Sequence, residues 1–173
     1  GGNNVEVRPD SMELVIDGDV NKVDVCNVIP AQKAGRIAEL AGITNDKGWA
    51  PVTAEDMKSK VDANIHVLGD ASQQGAMPKS GFSANSQAKV CAMAVRGELT
   101  GSKTFPAKFA NTCWSLIETD DGIKVGASYE ATAEGIAKTS GFISKNGEDA
   151  GTRKATYEES VGWYAGISAD MFG

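Results

Sequence analysis

Asn64-Ile65-His66-Val67-Leu68-Gly69-Asp70-Ala71, followed after a short polar link by Met77-Pro78-Lys79-Ser80-Gly81-Phe82-Ser83-Ala84-Asn85-Ser86-Gln87-Ala88, is the stretch from which the fold is read. Ile65 to Leu68 have strand character and run into Gly-Asp. A helix is expected to open a few residues later, with Pro78 in its first turn and small residues along one side. An Asp at the end of a buried strand points its carboxylate into the crevice where open sheets bind ligands. Gly69 lets the backbone approach a ligand closely, and Asp70 can accept hydrogen bonds from sugar or polyol hydroxyls. The helix then aims free N–H groups and the positive end of its dipole at the occupant of that crevice.

Outward from this stretch, the helix carries Ala84, Ala88, Cys91, Ala92, Val95 and Leu99 on one stripe, which predicts close packing against a sheet or a bound group. Gly97, Gly101 and Ser102 end it, and Pro106 marks a linker. Upstream, Ala31 to Leu40 reads as a helix stopped by Gly42, and Thr53 with Asp56 caps a short turn reaching Lys60. Val5 to Val7 and Met12 to Ile16 read as strands, Asp17-Gly18-Asp19 as a hairpin turn, and Val23 to Ile29 as a further strand ending at Pro30. Beyond the linker, Thr112 to Thr119, Ile123 to Glu130 and Gly135 to Ser144 predict an antiparallel three-stranded sheet. Tyr157, Val161, Tyr164, Ala165 and Ile167 recur at near-helical spacing, which predicts a closing helix over Lys154 to Met171.

The 173 residues are enough for one good core or two small ones, and 41% apolar composition is ordinary for a globular chain. A net charge of −6 argues against nucleic acid and favours a basic partner. The apolar runs are too short for a membrane span, and no leader peptide is read in these residues. Cys26, Cys91 and Cys113 lack CxxC spacing, so neither a zinc site nor covalent haem attachment is expected, and no metal ligands are assigned. No GxGxxG follows a strand, so the pyrophosphate-binding half of a dinucleotide domain is expected to lie outside this sequence.

An isoalloxazine, whose N1 and C2 carbonyl gain negative charge on reduction, suits the crevice in front of Pro78. Indeed the order hydrophobic strand, Gly-Asp-Ala, Met-Pro-Lys-Ser and Ser-Ala-Asn-Ser-Gln-Ala-Lys-Val resembles the second flavin-binding motif of the flavoprotein subunit of flavocytochrome c sulfide dehydrogenase. More distantly it is similar to sulfide:quinone oxidoreductases and other two-dinucleotide-domain flavoproteins. Val28-Ile29-Pro30-Ala31-Gln32-Lys33-Ala34-Gly35, Thr44-Asn45-Asp46-Lys47-Gly48-Trp49, Asn111-Thr112-Cys113-Trp114-Ser115 and the segment from Ser160 to Gly173 extend the resemblance over most of the chain.

The resemblance implies an α/β plus α+β fold. Residues 1–30 would be the tail of the central pyridine-nucleotide-like domain, and 31–105 the C-terminal half of a Rossmann-like FAD domain. Residues 106–173 would form a flavocytochrome-type interface domain with the small antiparallel sheet and the closing helix. It further implies FAD, sulfide as substrate, a c-type cytochrome subunit as partner, an N-terminal half of the flavoprotein outside this sequence, and a periplasmic location with any leader upstream. The cofactor-binding residues would be Gly69, Asp70, Ala71, Met77, Pro78, Lys79, Phe82 and Trp163. Cys113 would be one sulfur of a redox disulfide whose other cysteine lies in the N-terminal half.

Each residue also has a plainer reading. Asp70 can cap the following turn, Lys79 can be a solvated lysine, and Phe82 and Trp163 can be packing aromatics. A lysine at a helix start is electrostatically unfavourable, which suggests an anion near Lys79. Cys26 and Cys91 are read as structural, and His66 as a packed strand residue rather than a base. The competing functional readings are a sulfide:quinone oxidoreductase, against which the weakly amphipathic Ser160 to Gly173 segment argues, and a non-catalytic interaction fragment.

Overall fold

The computed structural model describes residues 2–173, which divide into two compact units, one ending at Gln32 and one beginning at Lys33. The first is a meander of β1 (Val5–Arg8), β2 (Glu13–Ile16) and β3 (Asp19–Lys22), paired antiparallel in that order. Ile16 pairs with Asp19, so Asp17 and Gly18 are the whole connection. Both have positive φ (49° and 96°), the requirement of the tight hairpin turn that matches strand twist. The strand expected over 23–29 does not form. Among the described residues no strand pairs with it, and Val25 and Ile29 are exposed.

In the second unit α1 (Arg36–Leu40) is shorter than the helix expected from Ala31. Residues before Gly35 are drawn into an extended path instead, where the Ala34 N–H donates to Gly48 O at 2.8 Å. Gly42, at φ 68°, closes the helix as expected. Ala34, Ala38 and Ile43 form a small core with Trp49, Ile65, Val67 and Ala71.

Residues 65–68 are not the expected continuous strand. His66 makes an isolated antiparallel bridge to Lys58, the Val67 N–H donates to Met57 O and the Ser59 N–H to Ile65 O. The chain then turns through a 3₁₀ segment, Gly69–Ala71, between short strands β4 (Ala50–Pro51) and β5 (Ser72–Gln73), which pair in parallel. The local residues meet their hydrogen-bonding needs by folding back on the 50s, which removes the demand for a ladder.

Helix α2 (Gly81–Thr100) starts later than Pro78 because Ser80, in extended conformation, accepts the Ser83 N–H and so serves as N-cap. Pro78 and Lys79 thus precede the helix. Gly101, at φ 67°, caps the other end by donating to Gly97 O. Its buried face is Ser83, Gln87, Val90 and Cys91, rotated from the expected small-residue stripe; Ala92 and Leu99 are exposed.

The C-terminal segment matches expectation closely. β6 (Lys108–Glu118), β7 (Asp121–Thr132) and β8 (Gly135–Ile143) form an antiparallel sheet in sequence order, and α3 (Ala150–Phe172) closes it from an Asp149 N-cap. Phe109, Ala127 and Tyr129 share one core with Val90, Cys91, Met57 and Met77. Strand alternation puts Thr112, Trp114 and Leu116 on the other face, where the α3 backbone at Tyr157 comes within 3.0 Å of a Cβ placed on Gly122. The sheet is therefore covered by α2 on one side and α3 on the other.

Candidate functional site

The Gly69-Asp70-Ala71 turn is set by buried side chains rather than by a strand. Gly69 has φ 68°, and a Cβ there would lie 3.3 Å from that of Ala84, so the turn sits directly on α2. The Gly69 N–H donates to Gln87 Oε1 at 2.7 Å, and Gln87 Nε2 donates to Gln74 Oε1 at 2.8 Å. Gln74 Nε2 in turn donates to Pro78 O at 2.6 Å, and Ser72 Oγ to Gly69 O at 2.8 Å. Gln87 is fully buried, so these bonds fix the turn against the start of α2 in a place where an unmade bond would be costly.

Lys79 completes the clamp. Its Nζ donates to Asp70 O at 2.7 Å and Ser72 O at 2.9 Å and lies 3.8 Å from the centre of the Trp49 ring. Partial burial holds its ammonium below the usual lysine range, opposed by the charge of Asp70. Two carbonyl oxygens and an aromatic face thus hold the ammonium, with the charge of Asp70 nearby.

Asp70 itself is exposed, and among the described residues no group donates to its carboxylate. Met77 is buried in the main core and offers its carbonyl to Gln74 at 3.3 Å; Ala71 packs in the small core. Phe82, in the first turn of α2, stacks on Trp163 of α3 with ring centres 5.4 Å apart and planes 11° from parallel. Trp114 joins both at 6.0 and 5.5 Å. Its Nε1 is buried with no partner among the described residues.

Cys113 lies partly buried on β6, beside a cleft of about 340 Å³ lined also by Ser115, Val125, Lys124 and Arg153. Cys91 is buried and its thiol is pushed up by burial and, secondarily, by Asp56; Cys26 is exposed in the first unit. His66 Nε2 is buried without a partner among the described residues.

The start of α2 is where these residues converge. The Gly69 turn reaches it through Gln87, Pro78 and Lys79 precede it, Phe82 and thereby Trp163 sit on its first turn, and Cys113 reaches it through Asn111, which bonds Ser80 and Ser83. Gln87, Asn111 and Trp114 were not singled out by sequence reasoning. The usable signal was spacing: Gln87 falls with Ser83, Val90 and Cys91 on one helical face, and Asn111 alternates with Phe109 and Cys113.

The arrangement fits a flavin on this structure's own evidence. The Gly81 and Phe82 amides, which the Ser80 cap does not engage, attract negative charge, the unengaged Asp70 carboxylate suits polyol hydroxyls, and the Phe82–Trp163–Trp114 cluster offers flat apolar surface with an unpartnered donor inside it. Residues 106–172 match the family model described as flavocytochrome c sulphide dehydrogenase, flavin-binding. The C-terminal part of the chain thus resembles that flavoprotein, as its motifs implied, and the flavin-binding description is consistent with FAD. The coarse activity class that goes with it is a flavoprotein dehydrogenase.

Proposed function

We propose, from a segment that matches the flavin-binding part of flavocytochrome c sulphide dehydrogenases, that this chain is the C-terminal portion of an FAD-dependent sulfide dehydrogenase that passes electrons to a c-type cytochrome. The observation that carries the reading is that the Gly69-Asp70-Ala71 turn packs on the first two turns of α2 at Ala84 and Gln87, while Phe82 and, through Asn111, Cys113 meet its first turn, the end of a helix that favours negative charge. Gly69, Asp70 and Ala71 would hold the cofactor's polyol side, with Lys79 and Met77 fixing that turn from behind. Pro78 leads the chain into the helix, and the stacked Phe82–Trp163 pair would border the ring system from one side. Bound FAD would supply a two-electron acceptor able to release electrons singly.

The chain's own chemistry is that of a sulfur leaving group. Cys113 would be disulfide-bonded to a cysteine in the flavoprotein's N-terminal half. Hydrosulfide attacking that other sulfur forms a persulfide there and breaks the S–S bond, whose electron pair leaves on Cys113 as thiolate. The domain plan we propose is the one implied by the resemblance, with 1–30 from the central domain, 31–105 from a Rossmann-like FAD domain and 106–173 facing the cytochrome. A periplasmic location is part of the same proposal.

Two measurements test it. This chain alone should not retain stoichiometric flavin through gel filtration, because the pyrophosphate contacts are assigned elsewhere. The complete flavoprotein should show flavin absorbance bleached by sulfide and restored by oxidised cytochrome c. Flavin that sulfide does not reduce would refute the activity.

A further inference from the structure

Asn111 is a buried side chain, 3% exposed, in direct contact with the sulfur on which the proposed chemistry turns. Its Oδ1 accepts hydroxyl hydrogen bonds from Ser80 and from Ser83, the latter at 3.1 Å. Its Nδ2 lies 3.4 Å from Cys113 Sγ, while the reverse contact, Sγ to Oδ1, is longer at 3.9 Å and competes with those hydroxyls. The carbonyl end is therefore occupied, and the N–H₂ end is held toward the sulfur. Ser80 is also the N-cap of α2, accepting the Ser83 N–H at 3.1 Å.

A fixed N–H donor favours the charged state of an acceptor over its neutral state, because a charge-assisted bond is roughly twice as strong as a neutral one. Of the cations around Cys113, two are engaged in ion pairs. Lys124 on β7 pairs with Glu159, and Arg153 on α3 pairs with Asp121. Lys145, beyond β8, lines the cleft. The Tyr129 phenol on β7 is pushed up by burial and then by Cys113, so it stays neutral.

We propose that Asn111 is a positioning residue that holds the Cys113 sulfur and favours its thiolate, linking that sulfur to the N-cap of α2 through Ser80. This role rests on Cys113 being the redox sulfur. In the step above the electron pair of the broken S–S bond stays on Cys113, and the Asn111 N–H would stabilise that leaving thiolate without itself gaining or losing a proton.

The test is the pH dependence of Cys113 alkylation by iodoacetamide in the full chain carrying Cys26→Ser, read by mass on the peptide containing Cys113. Asn111→Ala, which removes that donor, should raise the half-point of the alkylation profile. Asn111→Asp, which places a second negative charge beside the sulfur, should raise it further. Ser83→Ala keeps the amide and the N-cap but removes one anchor of Oδ1, and it should give a smaller rise even where the Asn111 variants fold poorly. Loosened packing alone would raise the rate at every pH and, by admitting water to the thiolate, would not raise the half-point. Unchanged half-points in folded Asn111→Ala and Ser83→Ala would overturn the proposal. If the half-points shift but Cys113→Ser in the complete flavoprotein still reacts normally with sulfide, the contact stands and its catalytic role is refuted along with the functional reading.

Discussion

Helices α2 and α3 cover opposite faces of the same sheet by different means. α2 presents Ser83, Gln87, Val90 and Cys91 inward and is fixed by buried hydrogen bonds to Gly69, Gln74 and Asn111. α3 buries only Thr156 among its described residues and is tied along its rim by Arg153 to Asp121, Lys154 to Asp120 and Lys124 to Glu159. Buried polar bonds are stringent about geometry, whereas exposed ion pairs tolerate displacement and are screened by salt. Precision thus resides at the start of α2, where the candidate site residues meet, and adaptability resides along α3.

Mutating the α2 anchor should cost most. Gln87→Leu leaves the buried Gly69 N–H without its partner, at about 1–3 kcal/mol, and leaves Gln74 Oε1 only the long contact from Ser72 Oγ at 3.5 Å. Urea denaturation of the chain measures the loss, and an unchanged midpoint would show that the network does not hold the turn. Gly69→Ala comes next. A left-handed residue with a Cβ costs about 1–2 kcal/mol, and the Ala84 contact at 3.3 Å adds to it.

On α3 the expected effects are smaller and depend on conditions. Arg153→Ala should lower the melting temperature less than Gly69→Ala does, and the difference from wild type should shrink in concentrated salt. Acid sharpens the contrast. Hydrogen bonding and charge from Arg153 hold Asp121 below the usual carboxylate range, and the Thr152 N–H does the same for Asp149. Stability from such depressed carboxyls is fully present above the ordinary Asp range and is lost as pH falls through their lowered values. Melting curves between neutral and acidic pH should therefore show a loss that Arg153→Ala partly removes. Lys89→Ala, which breaks only the exposed pair with Asp170, should change nothing measurable.

The C-terminal sheet and the two long helices were legible because their signals are local: Gly101 as a stop, alternation in β6 to β8 and helical spacing from Tyr157 to Ile167, just as Asp17-Gly18 marked the hairpin of the first unit. Ile65 to Leu68 misled because apolar β-type residues specify a strand only when a partner runs alongside, and here the 50s supply single bridges. Pro78 misled in the same way, since it suits a first helical turn but Ser80 captured the cap. Of the candidate site, Cys113 and Phe82 were singled out through the resemblance. Gln87 and Asn111 could not be ranked, because a buried amide is recognised by its partners, and those lie far away in sequence.

The most direct test of the central claim is stopped-flow reduction of the flavin by sulfide in the complete flavoprotein with Cys113→Ser, beside Cys91→Ser and Cys26→Ser. The account predicts that Cys113→Ser keeps its flavin and loses sulfide-dependent reduction, while the other two retain most of it. Reduction of Cys113→Ser at a near wild-type rate would contradict it.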